Sequence, residues 1–195
     1  VCEHVHLPMQ SGSSVTLKRM LRRYSREDYF DCVARMRAAI PGLTITTDII
    51  VGFPGETDDE FEETMTAVRD IGFDDAFLFK FSMREGTPAT RFPSDLLVPD
   101  DVVTQRFDRL HAAMRSGARQ RNMRRLGERM EVLVEKVARK GDDMLQARSR
   151  DYKTVIVPGD ASMIGKYFTV ELTGTTGSTF TGALVHERRP LPVAS

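Results

Sequence analysis

The chain has 195 residues, 22.0 kDa and 41% hydrophobic residues, enough for one large buried core or two small ones. Its 28 Lys and Arg balance 28 Asp and Glu, and its two cysteines, Cys2 and Cys32, have no metal-ligand spacing. No apolar run approaches the roughly 18 residues of a membrane span, so composition argues against a disulfide scaffold, a signal peptide and a membrane helix, and a reducing cytoplasm fits best. The charge is uneven: residues 1–95 hold 11 basic and 16 acidic side chains, the rest 17 and 12, so a polyanion would favour the second half. The chain opens at Val1 inside strand-like text, and further sequence upstream is expected.

Residues 5–9 alternate as a strand and break into the polar turn 10–13. A short helix over 14–21 and the basic Arg22-Arg23-Tyr24 follow. Ser25-x-x-Asp28 then opens a longer helix with apolar positions Tyr29, Val33, Met36 and Ile40, stopped by Pro41-Gly42. The run from Thr46 to Thr57 carries most information: Ile49, Ile50 and Val51 form a short apolar strand, residues 52–55 cannot continue it, and Thr57 with Glu60 forms a capping box ahead of Phe61, Met65 and Val68. This turn is expected to hold backbone amides open to a carboxylate, phosphate or nucleotide, although the same grammar describes a plain strand-to-helix connection. A third strand over 76–82 places Phe77, Phe79 and Phe81 on one face and ends in the polar turn 83–89. Three strand–turn–helix units predict a parallel sheet with outer helices.

Residues 94–99 read as a linker. Val103, Phe107, Leu110 and Met114 then have helical spacing, and Arg115, Arg119, Arg121, Arg124 and Arg125 follow with no acidic residue between them. That basic stretch suits either a solvated helix face or a nucleic-acid contact. From Gly127, five β-rich runs at 130–137, 144–150, 154–157, 167–172 and 179–185 alternate with turn residues and predict a small β-barrel.

Turns 10–13, 52–57 and 82–89 share the carboxyl edge of the inferred sheet, where α/β folds place ligands. They offer an amide and hydroxyls, backbone amides with Glu56, and Arg84, which together suit a polar, nucleotide-like molecule. Polar turns that simply face water are the plain alternative. His4 and His6 alternate on one strand without a third metal ligand.

The segments His6-Leu7-Pro8-Met9-Gln10-Ser11-Gly12-Ser13, Leu17-Lys18-Arg19-Met20, Arg22-Arg23-Tyr24, Thr47 through Thr57 and Arg84-Glu85-Gly86-Thr87-Pro88-Ala89 resemble, in order and spacing, the radical S-adenosylmethionine (SAM) methylthiotransferases. Gly165, Val170 and Gly182-Ala183-Leu184-Val185 resemble their terminal RNA-binding TRAM barrel, with Ala183 where the nearest members carry Glu. The resemblance implies the later half of a TIM-like radical SAM barrel over 1–95, a linker and basic helix over 96–126, an OB-like TRAM barrel over 127–189 and a tail over 190–195. It implies SAM binding by Gln10, Ser11, Asp48, Gly52, Pro54, Glu56 and Arg84, and RNA binding by Arg119, Arg121, Arg124 and Arg125. The implied reaction adds a methylthio group to carbon 2 of N6-isopentenyl-adenosine in tRNA, using SAM, [4Fe-4S] clusters and an electron donor such as a flavodoxin or ferredoxin. Sister enzymes acting on threonylcarbamoyl-adenosine or a ribosomal protein aspartate, and a non-catalytic RNA-binding module, are the alternatives. The family's Cys-x-x-x-Cys-x-x-Cys has no counterpart in this sequence, and neither Cys2 nor Cys32 replaces it. The chain is therefore expected to be inactive alone.

Overall fold

In the computed structural model, residues 2–83, 86, 92–141 and 143–185 are described. They form two compact units that divide between Gln120 and Arg121.

The first unit is a three-stranded parallel sheet, β1 (His4–His6), β2 (Thr44–Val51) and β3 (Asp75–Lys80), in that order. Helices α1 (Ser14–Arg19), α2 (Arg26–Ala39), α3 (Asp58–Ile71) and the first part of α4 (Asp100–Met123) belong to it. β1 is shorter than predicted because Pro8 has no N–H, although Leu7 N still donates to Thr46 O and Gln10 N to Asp48 O. β3 stops at Lys80 because its partner β2 ends at the paired Val51. Both predicted capping boxes form: Ser25 with Asp28 opens α2, and Thr57 with Glu60 opens α3. α2 ends before Ile40, which is extended at φ −127 and 38% exposed, because the following Pro41 disfavours a helical residue ahead of it.

One face of β2 buries Ile45, Thr47, Ile49 and Val51. Against it pack Tyr29 and Val33 of α2, Phe61, Met65 and Val68 of α3, and Leu110 and Met114 of α4. Each such fully buried side chain contributes about 1.5–3 kcal/mol of transfer free energy. α4 is thus part of this core up to Met114. Its buried stripe is Val103, Arg106, Leu110 and Met114, and Phe107, expected inside, is only half-buried.

The second unit is a closed five-stranded barrel of β4 (Arg129–Val137), β5 (Met144–Ser149), β6 (Thr154–Pro158), β7 (Tyr167–Thr175) and β8 (Thr179–Leu184). The order around it is β4-β5-β6-β8-β7, an OB-like arrangement closed by the parallel β6–β8 pair. Alternating Val132, Val134, Leu145, Ala147, Val155, Val157, Val170, Leu172 and Phe180 fill its interior. Among the described residues no helix is long and apolar enough to cross a membrane.

Candidate functional site

The face of the sheet opposite its core is lined by polar and aromatic side chains. His6 Nδ1 and His4 Nε2 lie 2.9 and 3.2 Å from the Thr46 hydroxyl, and His6 Nε2 lies 3.2 Å from Asp48 Oδ1. His6 meets Phe77 edge-on at 6.0 Å, and Phe77 and Phe79 are 63% and 49% exposed. Past the carboxyl end of β1 sits Gln10, 9% exposed and bridged to Ile49 of β2, with φ 67, a conformation uncommon for a residue with a Cβ. Its backbone is pinned on both sides: its N–H donates to Asp48 O at 2.8 Å and its carbonyl accepts from Ile50 N at 2.9 Å. No described group hydrogen-bonds its side-chain amide.

The neighbouring loop residues do a different job. Ser11 is 1% exposed, lies 3.3 Å from the Thr64 hydroxyl on α3, and accepts a hydrogen bond from Ser13 N. Gly12 N donates to the same Thr64 hydroxyl, and a Cβ on Gly12 would lie 2.5 Å from Thr64 Cα. Ser11 and Gly12 therefore fasten the loop 10–13 to α3, and Gln10 within that loop is 9% exposed.

The amides of turn 52–57 are largely committed, contrary to the expectation that they stay open. Gly52 N donates to Glu56 Oε2 at 2.8 Å, Gly55 N to Leu96 O at 2.7 Å, Glu56 N to Phe53 O at 2.9 Å and Thr57 N to Glu60 Oε2 at 3.1 Å. Pro54 is buried in the turn. The Glu56 side chain is 1% exposed and bonded by Arg106 of α4, whose Nη1 donates to Glu56 Oε2 at 2.9 Å and to its carbonyl at 3.0 Å. Arg106 Nη2 also donates to Asp58 Oδ1 at 2.7 Å, and its guanidinium lies 5.5 Å from the Phe61 ring centroid. Burial raises the Glu56 pKa more than the Gly52 N–H and the Arg106 charge lower it. A second pair, Arg19 with Glu60, joins α1 to the start of α3.

Of the residues expected at a SAM site, Asp48 presents its side chain on the sheet's free face, Gln10 is buried in the loop after β1, and Ser11, Gly52, Pro54 and Glu56 build the surrounding loops. Arg84 lies outside the described residues. Arg106 was missed by sequence reading, and its signal was a cation occupying a helical stripe of Val103, Leu110 and Met114. No three His, Cys, Asp or Glu residues among those described group as metal ligands; Cys2 is exposed and Cys32 half-buried on α2. The described residues therefore do not fit an iron–sulfur cluster, which needs several converging thiolates.

In the basic stretch, Arg119 and Arg124 are exposed and Arg121 is half-buried. Arg125 is half-buried in the second unit, bonded to Glu128 at 2.9 Å and to Asp151, with its guanidinium 5.8 Å from the Phe180 ring centroid.

Residues 1–68 match the Radical SAM superfamily and residues 123–185 the TRAM domain. The chain is 43% identical over 184 residues to tRNA-2-methylthio-N(6)-dimethylallyladenosine synthase of Pelotomaculum thermopropionicum, covering 94% of this chain and 41% of that protein. The proteins of the same name from Clostridium botulinum and Bacillus cereus are 42% and 44% identical over 93% and 95% of this chain, and 40% and 36% of theirs. The chain thus spans about two fifths of the length of these relatives. Among solved structures, coproporphyrinogen III oxidase from Escherichia coli, described as a radical SAM enzyme, aligns with a TM-score of 0.51 at 12% identity, covering 91% of this chain and 44% of that one, a likeness of fold. With both units matched and the likeness running through them at over 40% identity, the chain belongs to the radical SAM methylthiotransferase family.

Proposed function

We propose that the chain is the part of a tRNA-modifying methylthiotransferase that forms one wall of the SAM cavity and carries the RNA-binding barrel. The reaction adds a methylthio group to carbon 2 of N6-isopentenyl-adenosine beside the anticodon. The observation that carries this reading is the likeness at 42–44% identity across 93–95% of the chain to relatives named for that product. The sheet suits the role because Gln10, 9% exposed, carries a carboxamide with both donor and acceptor on a pinned backbone just past the carboxyl end of parallel strands.

In this reading Gln10 and Asp48 hold polar groups of SAM, with Arg84 in the same role. Ser11, Gly52, Pro54 and Glu56 keep the surrounding loops in place. SAM supplies the methyl group and the radical chemistry of the family, while the cluster ligands lie outside this set of residues. Exposed Arg119 and Arg124 serve the tRNA, with Arg121 beside them in sequence, whereas Arg125, expected in the same role, is engaged by Glu128 and Asp151 within the barrel unit. A flavodoxin or ferredoxin supplies electrons, and the setting is the cytoplasm.

Deleting the complete gene and measuring modified tRNA nucleosides tests the reaction. The methylthio derivative of isopentenyl-adenosine should vanish while isopentenyl-adenosine remains. Unchanged methylthio-isopentenyl-adenosine, or selective loss of methylthio-threonylcarbamoyl-adenosine, would overturn the assignment. In the intact enzyme Gln10→Ala should weaken SAM binding roughly tenfold, the scale of one hydrogen bond removed from a desolvated partner.

A further inference from the structure

One row of side chains on the outer surface of the barrel differs from its surroundings. The strand register sets Arg148 of β5 opposite Leu133 of β4, and Leu133 opposite Tyr167 of β7, on the face away from the buried Val132 and Val134. Two strand spacings separate the ends of this row by roughly 10 Å. Tyr167 is 63% exposed and Leu133 half-buried. The Arg148 guanidinium lies 4.5 Å from the ring centroid of Tyr152, which is itself 53% exposed.

The display of Tyr152 is built by its surroundings. Tyr152 occupies the turn between β5 and β6 at φ 65, where glycine or asparagine would be the easier choice. Tyr152 N donates to Ser149 O at 3.0 Å, Lys153 N donates to Ser149 Oγ at 3.0 Å, and the Ser149 hydroxyl and Arg125 both bond Asp151. Arg148 is held in turn by Glu135, with Nε and Nη2 each 3.2 Å from a carboxylate oxygen, and by Thr154 Oγ1 at 3.1 Å. A strained backbone and a clamped guanidinium thus hold an aromatic ring in solvent.

We propose that Tyr152, Arg148 and Tyr167 form a stacking platform for unpaired RNA bases; this rests on the RNA-binding reading above and assigns that binding to one face. Rings and a planar guanidinium accept the π-face of any base, and Leu133 supplies an apolar floor between them. Because Glu135 neutralises Arg148, the platform reads bases, and phosphate contacts fall to cations elsewhere.

Fluorescence anisotropy of the intact protein with a labelled anticodon stem–loop, and with a fully paired duplex, tests this. Tyr152→Ala and Tyr167→Ala should each weaken stem–loop binding roughly 5- to 100-fold, with little change for the duplex, and the Phe substitutions should restore it. The slope of log affinity against log salt should stay unchanged in these variants. Tyr152→Gly suits the left-handed backbone, so it should keep or raise the thermal midpoint while losing affinity, which a purely structural tyrosine would not do. If both alanine variants bind the stem–loop within about twofold of wild type while Arg124→Ala weakens it, the platform is wrong and RNA binding stands. If wild type binds neither RNA, both readings fall.

Discussion

Gly52 shows how a single residue ties turn 52–57 to the rest of its unit. It sits at φ 76, and a Cβ there would lie 2.5 Å from Val103 Cγ2 on α4. Gly52→Ala therefore meets two costs, about 1–2 kcal/mol for the left-handed backbone and about 1–3 kcal/mol for overpacking. Only the second depends on Val103. In a Val103→Ala background, the same substitution should lose the overpacking part and keep the backbone part. Urea denaturation of the four proteins checks this, and purely additive costs would show that contact with Val103 is not what holds the turn.

At the scale of elements, α4 is the device that fastens turn 52–57. Arg106 reaches the Glu56 carboxylate, the Glu56 carbonyl and Asp58 with its side chain 6% exposed. Removing one partner of a buried pair strands the other, so Arg106→Ala should cost about 3–5 kcal/mol, and adding Glu56→Gln should recover part of it because no buried charge is then left unpaired. Chemical denaturation of the single and double variants reads this directly, and a double variant no more stable than Arg106→Ala would refute it. The strand–turn–helix run from β2 to α3 was legible because apolar strand, glycine turn and capping box all agree. The role of Arg106 was not, since apolar spacing favoured Phe107, and only packing shows that a cation holds the buried place. Nor was it legible that Glu56, four residues after Gly52, folds back onto the Gly52 N–H and closes a turn that glycines alone suggest is open. The β-barrel strands could be read from their turn residues, whereas the parallel β6–β8 pair that closes the barrel is non-local and carries no local signal.

Across the whole molecule, the excess of 17 basic over 12 acidic residues after residue 95 should make the proposed RNA binding salt-sensitive, but its arginines differ in what they are able to contribute. Arg119 and Arg124 are exposed, whereas Arg125 is bound to Glu128 and to Asp151, whose side chain is only 14% exposed. For a single strand, each phosphate contact adds about 0.7 to the slope of log affinity against log salt. Arg119→Ala and Arg124→Ala should each flatten that slope by about 0.7 and leave the thermal midpoint where it was. Arg125→Ala should lower the midpoint, because it leaves the largely buried Asp151 carboxylate without its guanidinium, at about 1–3 kcal/mol. Salt titrations and thermal melts on the three variants separate these roles. A flattened slope with an unchanged midpoint for Arg125→Ala would move that arginine from the barrel's structure to its RNA surface.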